Sequence, residues 1–406
     1  MCNGLGSFGV GETPKRCELV QTQAVLRPPD GLSSRVGRLL RAAVLTSPRH
    51  SSCNTLCIRV FISTVSANAS ANGNVDREDS TLFAKTIFAA AALVAVSVSG
   101  VAAQQAATFG GSDALGSLYD RQNRMFTELV NERSGGALTV NFIEGEQLGS
   151  DVQVIEQTMA GAVQFYGDDL SWYANWVKDY AILGWGFTFH SPDHMQHFFD
   201  SDAYKAMSDR LIKDQGVRIL AQAPIQSRMT FSNKAISAAA DFDGLKMRVP
   251  EIKTYLELWE TLGARPTRLA WGEVFLGLKT GVVEAAEGPV SAAYAAKFHE
   301  AAPFVVRTDH ILTATHILVG ETFYQSLSPE LQQVVTDAAK QATQWAREQA
   351  QKETEDMISK MAAEGAQVTE IELGPVREKA VAAVTRMEDA GAWSKGLWQS
   401  VQDLAD

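Results

Sequence analysis

GLKMRVP, residues 244–250, alternates apolar and cationic side chains, so a strand here places Leu245, Met247 and Val249 on one face and Lys246 and Arg248 on the other. Pro250 ends the strand. Ile252, Tyr255, Leu256, Trp259 and Leu262 then recur at helical spacing until Gly263, with Pro250 expected in the first turn of that helix. A strand feeding a helix is the start of an α/β unit. The arginine needs a reason of its own, because it cannot shed its proton to escape burial, and its planar fork matches a carboxylate.

Outward from this stretch the alternation continues. AATFGGS (106–112) reads as a first strand, YDRQNRMFTELVNERSGG (119–136) as a helix, ALTVNFI (137–143) as a second strand, DVQVIEQTMAGA (151–162) as a second helix and VQFYGDD (163–169) as a third strand. Asp168 and Asp169 fall just beyond that strand, where open α/β sheets bind ligands. Neighbours at a strand end point apart, so one of the two is expected to face a ligand. On the other side, a strand is expected from about Thr267 to Trp271, then a helix from Glu273 to Thr280 stopped by Gly281. Residues 328–364 form one long helix with Ser328 as N-cap, Pro329 in the first turn and Gly365 at its end. At about 1.5 Å per residue it outruns a small domain and is expected to cross two. No internal repeat follows residue 104.

The chain has 406 residues, 46% of them hydrophobic and 20% charged, and a net charge of −11. That balance, with no long Lys/Arg run, excludes a nucleic-acid partner. The four cysteines, Cys2, Cys17, Cys53 and Cys57, all precede residue 58, and no His/Cys pair follows Cys53 and Cys57 at zinc-ligand spacing. FAKTIFAAAALVAVSVSGVAAQQ (83–105) has the order of a secretory signal: Lys85, an apolar run from Ile87 to Val98, and Val101-Ala102-Ala103 before a cut. Ser97, Ser99 and Gly100 interrupt it as a membrane span. The expected mature protein therefore begins at Gln104 and does not span the membrane. Residues 1–74 lack periodicity, and their GLGSFG has no strand before it, so it is no dinucleotide fingerprint. The leader reads as a product of start-site choice, with initiation near Val75; an Arg-rich transit peptide is the other reading.

The exported part has no nucleophile elbow, phosphate loop or HExxH motif, and no cofactor is expected. His190, His194 and His197 lie close together in sequence, but Ser191 and Pro192 look like the start of a helix that excludes His190, so the three read as packing or solvated residues and no metal is expected. Arg248 and Arg228, the latter in QSRMTFSNKAI (226–236), are two anion clamps or two ordinary surface arginines; pattern alone leaves both open.

Several further stretches carry a resemblance: SRMTFSNKAI (227–236), GLKMRVP, LGARPT (262–267), WGEVFLGLKTGVV (271–283), AAKFHEAAPFV (295–305), SLSPELQQVV (326–335) and GEQLGSDVQVIEQTMAGA (145–162). In that order and spacing they resemble the DctP-type solute-binding proteins of tripartite ATP-independent periplasmic (TRAP) transporters, across essentially all of 104–406. The resemblance implies a periplasmic-binding-protein-like clam-shell of two α/β domains joined by a hinge and a long shared helix. Domain I would comprise 104–225 and 314–353, domain II 226–313 and 354–406, with the hinge near 224–227 and 312–315. It implies a monomeric periplasmic receptor, not an enzyme, that binds a small organic acid and docks on TRAP membrane permease subunits. An exported sensor subunit or an enzyme on the same fold are the alternatives.

By the same resemblance, Arg248 pairs with the ligand carboxylate, Arg228 is the second cleft arginine, Trp271 packs on the ligand and Asp169 is a polar contact, while Ser112 and Asp113 line the crevice. One departure stands out. The family has asparagine where EAAEGP (284–289) has Gly288, so a side-chain donor is missing and room near the head group is expected. With Asp169 and Asp113 at the far end, the ligand is expected to be a monocarboxylate whose other end donates, a sugar-type acid or a zwitterion.

Overall fold

The computed structural model describes residues 104–405; the leader, the signal peptide and the cysteines lie outside them. β1 (Gln105–Gly110) and α1 (Leu118–Arg133) lead into β2 (Leu138–Ile143), α2 (Asp151–Met159) and the two-residue β3 (Phe165–Tyr166). Two 3-10 segments, α3 (Pro192–Phe199) and α4 (Asp202–Gln215) precede β4 (Val217–Ser232), a strand of 16 residues. Then come β5 (Lys246–Val249), α5 (Lys253–Leu262), β6 (Arg265–Arg268), α6 (Val274–Thr280), β7 (Ala285–Pro289), α7 (Val290–Ala295), α8 (Phe298–Ala301), β8 (Phe304–Arg307) and β9 (Leu312–Gly320). The chain finishes with α9 (Glu321–Ser326), α10 (Pro329–Ala363), β10 (Gln367–Glu370), α11 (Gly374–Ala382), α12 (Val384–Asp389) and α13 (Leu397–Gln402).

β4 belongs to both halves of the sheet. Its first part pairs antiparallel with β9, completing the order β2-β1-β3-β9-β4. Its last residues, from Arg228, pair with β7 and β8, and β7 carries the parallel strands β5 and β6. Between Pro224 and Ser227 the ladder with β9 slips register opposite Ala314 and Leu312, within the segments expected to form the hinge. A bulged, locally unpaired stretch is where two halves of a sheet can turn on each other.

α10 spans both halves. Val335, Ala338, Ala339 and Ala342 join the core over β1 and β2, whereas Met357, Ile358 and Met361 join the core over β4, β7 and β8. Its 35 residues make it about 52 Å long. Ser328 caps it by accepting from the Leu331 amide, and Gly365 follows its end at φ 103°, where a side chain would be strained.

Two local expectations fail. β6 starts at Arg265 and includes Pro266, rather than starting near Thr267; it is the edge strand of its half, where a missing N–H costs no ladder bond. The helix after GLKMRVP starts at Lys253 with Ile252 as N-cap, so Pro250 precedes it instead of sitting in its first turn. The C-terminal helices also straddle the halves: Lys379 reaches the Leu262 carbonyl on α5, while Ser394 binds Asp179 and Val401 receives the His194 Nε2–H. His194 is thus a buried packing residue whose Nδ1 accepts the His190 amide.

Candidate ligand cleft

The site forms where strand ends of the two halves meet. Arg248 sits on β5 between β6 and β7, with Thr267 and Ala286 as register partners. Met247 and Val249 are fully buried in the core with Tyr255 and Trp259 of α5, which sends the Arg248 side chain the other way. It is nevertheless only 1% exposed. Its Nε–H donates to the Leu269 carbonyl at 2.9 Å, and the guanidinium lies 5.3 Å from the Trp271 ring. Nη1 is buried without a hydrogen-bond partner, and among the described residues Arg248 makes no ion pair. Burial, with repulsion from Arg228, outweighs the attraction of Glu287 and pulls its pKa down to about 10.

Arg228, at the start of the β4–β7 pairing, is differently placed. Glu287 on β7 grips it through Nε and Nη2, the latter at 2.9 Å, and Asp169 takes Nη1 at 3.0 Å. Three of its five N–H groups are thereby used within the protein. The Tyr255 ring lies 5.0 Å from the guanidinium. Burial works to raise the Glu287 pKa, but the Arg228 charge and its hydrogen bonds, with His310 close by, prevail and hold it at about 2.

The opposite wall is acidic. Asp113, Asp151, Asp168 and Asp169 line the same cavity as Arg228, Arg248 and Trp271. Asp151, the first residue of α2, accepts the Tyr166 hydroxyl at 2.6 Å. Asp168 accepts the Asp169 amide and the Trp172 indole N–H at 2.6 and 2.9 Å. Asp169 accepts the Ser171 amide as well as Arg228. Burial is the main cause that raises all four carboxyls, most strongly Asp113 and Asp168, where Asp151 adds repulsion; for Asp169 the Arg228 charge opposes it.

Five of the seven residues singled out in the sequence, Arg248, Arg228, Trp271, Asp169 and Asp113, meet in this cavity. Ser112 is buried but does not line it, and its hydroxyl has no partner. Gly288 corrects an expectation. A Cβ there would lie 3.0 and 3.2 Å from Trp271 Cη2 and Cζ3, so the space vacated by the family's asparagine is filled by the indole rather than left for the ligand. Sequence reasoning missed Glu287, Asp151, Tyr119 and Trp172. Glu287 was visible beside Gly288, but nothing local marks it as the partner of an arginine 59 residues earlier. Both Asp168 and Asp169 line the cavity, where one was expected.

Direct contacts bridge the two walls. Glu146, after β2, accepts the Gly272 amide at 3.1 Å; Ser291 Oγ accepts the Leu118 amide at 3.2 Å; Asn175 donates to the Glu251 carbonyl at 3.0 Å. The described conformation is a closed one. Among the described residues no helix is long and apolar enough to cross a membrane, and no group of three or more His, Cys, Asp or Glu is placed to hold a metal.

A two-domain α/β fold joined by a continuous strand and a shared helix, with a charged cavity between the halves, defines the architecture of a solute-binding protein. The model of the bacterial extracellular solute-binding protein family 7, DctP, matches residues 109–390, and the chain belongs to that family. It is 29% identical over 241 residues to a solute-binding protein of Roseobacter denitrificans, covering 57% of this chain and 73% of that protein. The sialic acid-binding periplasmic protein SiaP of Vibrio cholerae is 26% identical over 286 residues, 70% of this chain and 89% of the relative. Among solved structures, a TRAP periplasmic solute-binding protein of Ochrobacterium anthropi with bound L-fuconate superimposes with a TM-score of 0.70 at 25% identity, over 75% of this chain and all of the other.

Proposed function

We propose that this protein is a non-catalytic periplasmic receptor that closes on a monocarboxylate and presents it to TRAP-type membrane permease subunits, with Arg248 as the carboxylate clamp. The carrying observation is the Arg248 guanidinium, buried to 1% exposure, with Nη1 unpartnered. A buried cation without a counter-ion is costly, and an incoming carboxylate offsets that cost with a two-pronged contact. Arg228 shapes the site from behind, because Glu287 and Asp169 already occupy much of its fork. Trp271 covers one face of the ligand, as in the cation–ring contact it makes with Arg248.

Two relatives are named or solved with sialic acid and L-fuconate, each a monocarboxylate rich in hydroxyls. That chemistry suits the acidic wall, where a second carboxylate would meet Asp151 and Asp169. The domain division proposed with this function runs through the register slip at Pro224–Ser227 and across α10. A thermal-shift panel tests the reading. Aldonic and uronic acids should raise the unfolding midpoint, since saturation at 100 times Kd adds about 2.7 kcal/mol. A panel in which succinate or malate stabilises more than every sugar acid would defeat it.

A further inference from the structure

This inference rests on the proposed function and concerns the wall opposite Arg248. Of the four carboxyl groups on the cavity, three are engaged: Asp151 by Tyr166, Asp168 by Trp172 and the Asp169 amide, Asp169 by Arg228. Asp113, which follows β1, is 7% exposed, and its Oδ2 is buried without any hydrogen-bond partner. The Tyr119 hydroxyl, on the same cavity wall, is also buried without a partner.

The charges around Asp113 decide what it can hold. Asp120 comes from α1, Asp151 from α2, and Asp168 and Asp169 from behind β3; the Tyr119 phenol is there too. The cations of the cavity are Arg228 from β4, already bound by Glu287 of β7, and Arg248 from β5. An ionised Asp113 would be a buried anion with no donor to its free oxygen and several acids as neighbours. Such a carboxyl keeps its proton. Burial first and Asp151 second push it well above the usual carboxylate range.

A protonated carboxyl presents one donor and one acceptor, and a hydroxyl group is the partner that answers both. We infer that Asp113 is the residue that selects the far end of the ligand, and that it takes a hydroxyl through a neutral carboxyl group. The unpartnered Tyr119 hydroxyl offers a second such contact, which favours a polyhydroxy acid over a ligand with one polar group at its far end. An ammonium at this position would instead draw the proton from Asp113 and form an ion pair.

The two possibilities part on an isosteric change. Calorimetric titration of the purified protein with aldonic and uronic acids would compare the wild type with Asp113→Asn and Asp113→Ala. The amide copies a neutral carboxyl, so Asp113→Asn should bind the preferred acid within about threefold of the wild type, while Asp113→Ala should bind about tenfold or more weakly because a buried ligand hydroxyl loses its partner. An Asn variant as weak as the Ala variant would overturn the inference by showing an ionised carboxylate. An Ala variant that binds like wild type would overturn it by showing no contact. If the wild type bound none of these acids, the proposed ligand class itself would fall, and this assignment with it.

Discussion

Arg248 and Arg228 are two buried arginines of one cavity with different consequences for stability. Arg248 has no ion pair among the described residues, so closing without a ligand carries the cost of its buried charge. Arg248→Met should therefore abolish binding of the carboxylate while leaving the unfolding free energy of the ligand-free protein, whose open cleft keeps Arg248 in water, within about 0.5 kcal/mol of the wild type, read from urea midpoints and calorimetry together. A variant that lost binding and stability together would show Arg248 to be structural. Arg228 is the reverse case. Glu287→Gln leaves it with Asp169 alone and should cost about 3 to 5 kcal/mol of stability. The pH dependence follows from the Glu287 pKa of about 2 against an ordinary value of 4.5. A depressed folded pKa contributes stability that is complete above the unfolded value and is lost as pH falls through the folded one. Denaturant midpoints should thus fall between pH 4.5 and pH 2 in the wild type, less steeply in Glu287→Gln. The placement of Arg248 away from the core was legible in GLKMRVP because a period of two separates its face from Met247 and Val249. That of Glu287 was not, since the pairing needs β4 and β7 side by side, a fact of tertiary structure.

At the scale of elements, the sequence was clear wherever local chemistry acts alone. Ser328, Pro329 and Gly365 marked both ends of α10, and Gly263 closed α5 in the left-handed region, as read. It was less clear at β6, where the strand was expected from about Thr267 but begins at Arg265 and takes in Pro266, because β6 is an edge and edge position cannot be read from one segment. The loop after β2 was also silent. Glu146 there holds φ at 56°, an uncommon conformation for a residue with a side chain, and its half-buried carboxylate accepts the Gly272 amide from the opposite wall. A Cβ on Gly272 would collide with Glu146 Oε2, so Gly272→Ala forces the carboxylate away. The loss of this closing contact should weaken ligand affinity by about fivefold, mainly through faster dissociation in stopped-flow or surface-binding traces. A change confined to the association rate would remove Glu146 from the closure.

For the whole molecule, the two halves share β4 and α10, and the proposed closure would be a turn about the slipped ladder at Pro224–Ser227 and the facing Leu312–Ala314. On the proposed function, a carboxylate on Arg248 and a hydroxyl on Asp113 would join opposite walls, so that the ligand contributes to closure and the closed shape is the one offered to the permease. The family was legible because its motifs lie in order along the chain; the closed geometry was not, because it depends on contacts such as Leu118 with Ser291 that are 173 residues apart. The most direct test is small-angle scattering of the purified protein with and without a saturating sugar acid, in the wild type and in Arg248→Met. Closure on a clamped carboxylate predicts a smaller radius of gyration on ligand addition in the wild type and none in the variant. An unchanged wild-type radius at proven saturation, or the same contraction in Arg248→Met, would contradict it.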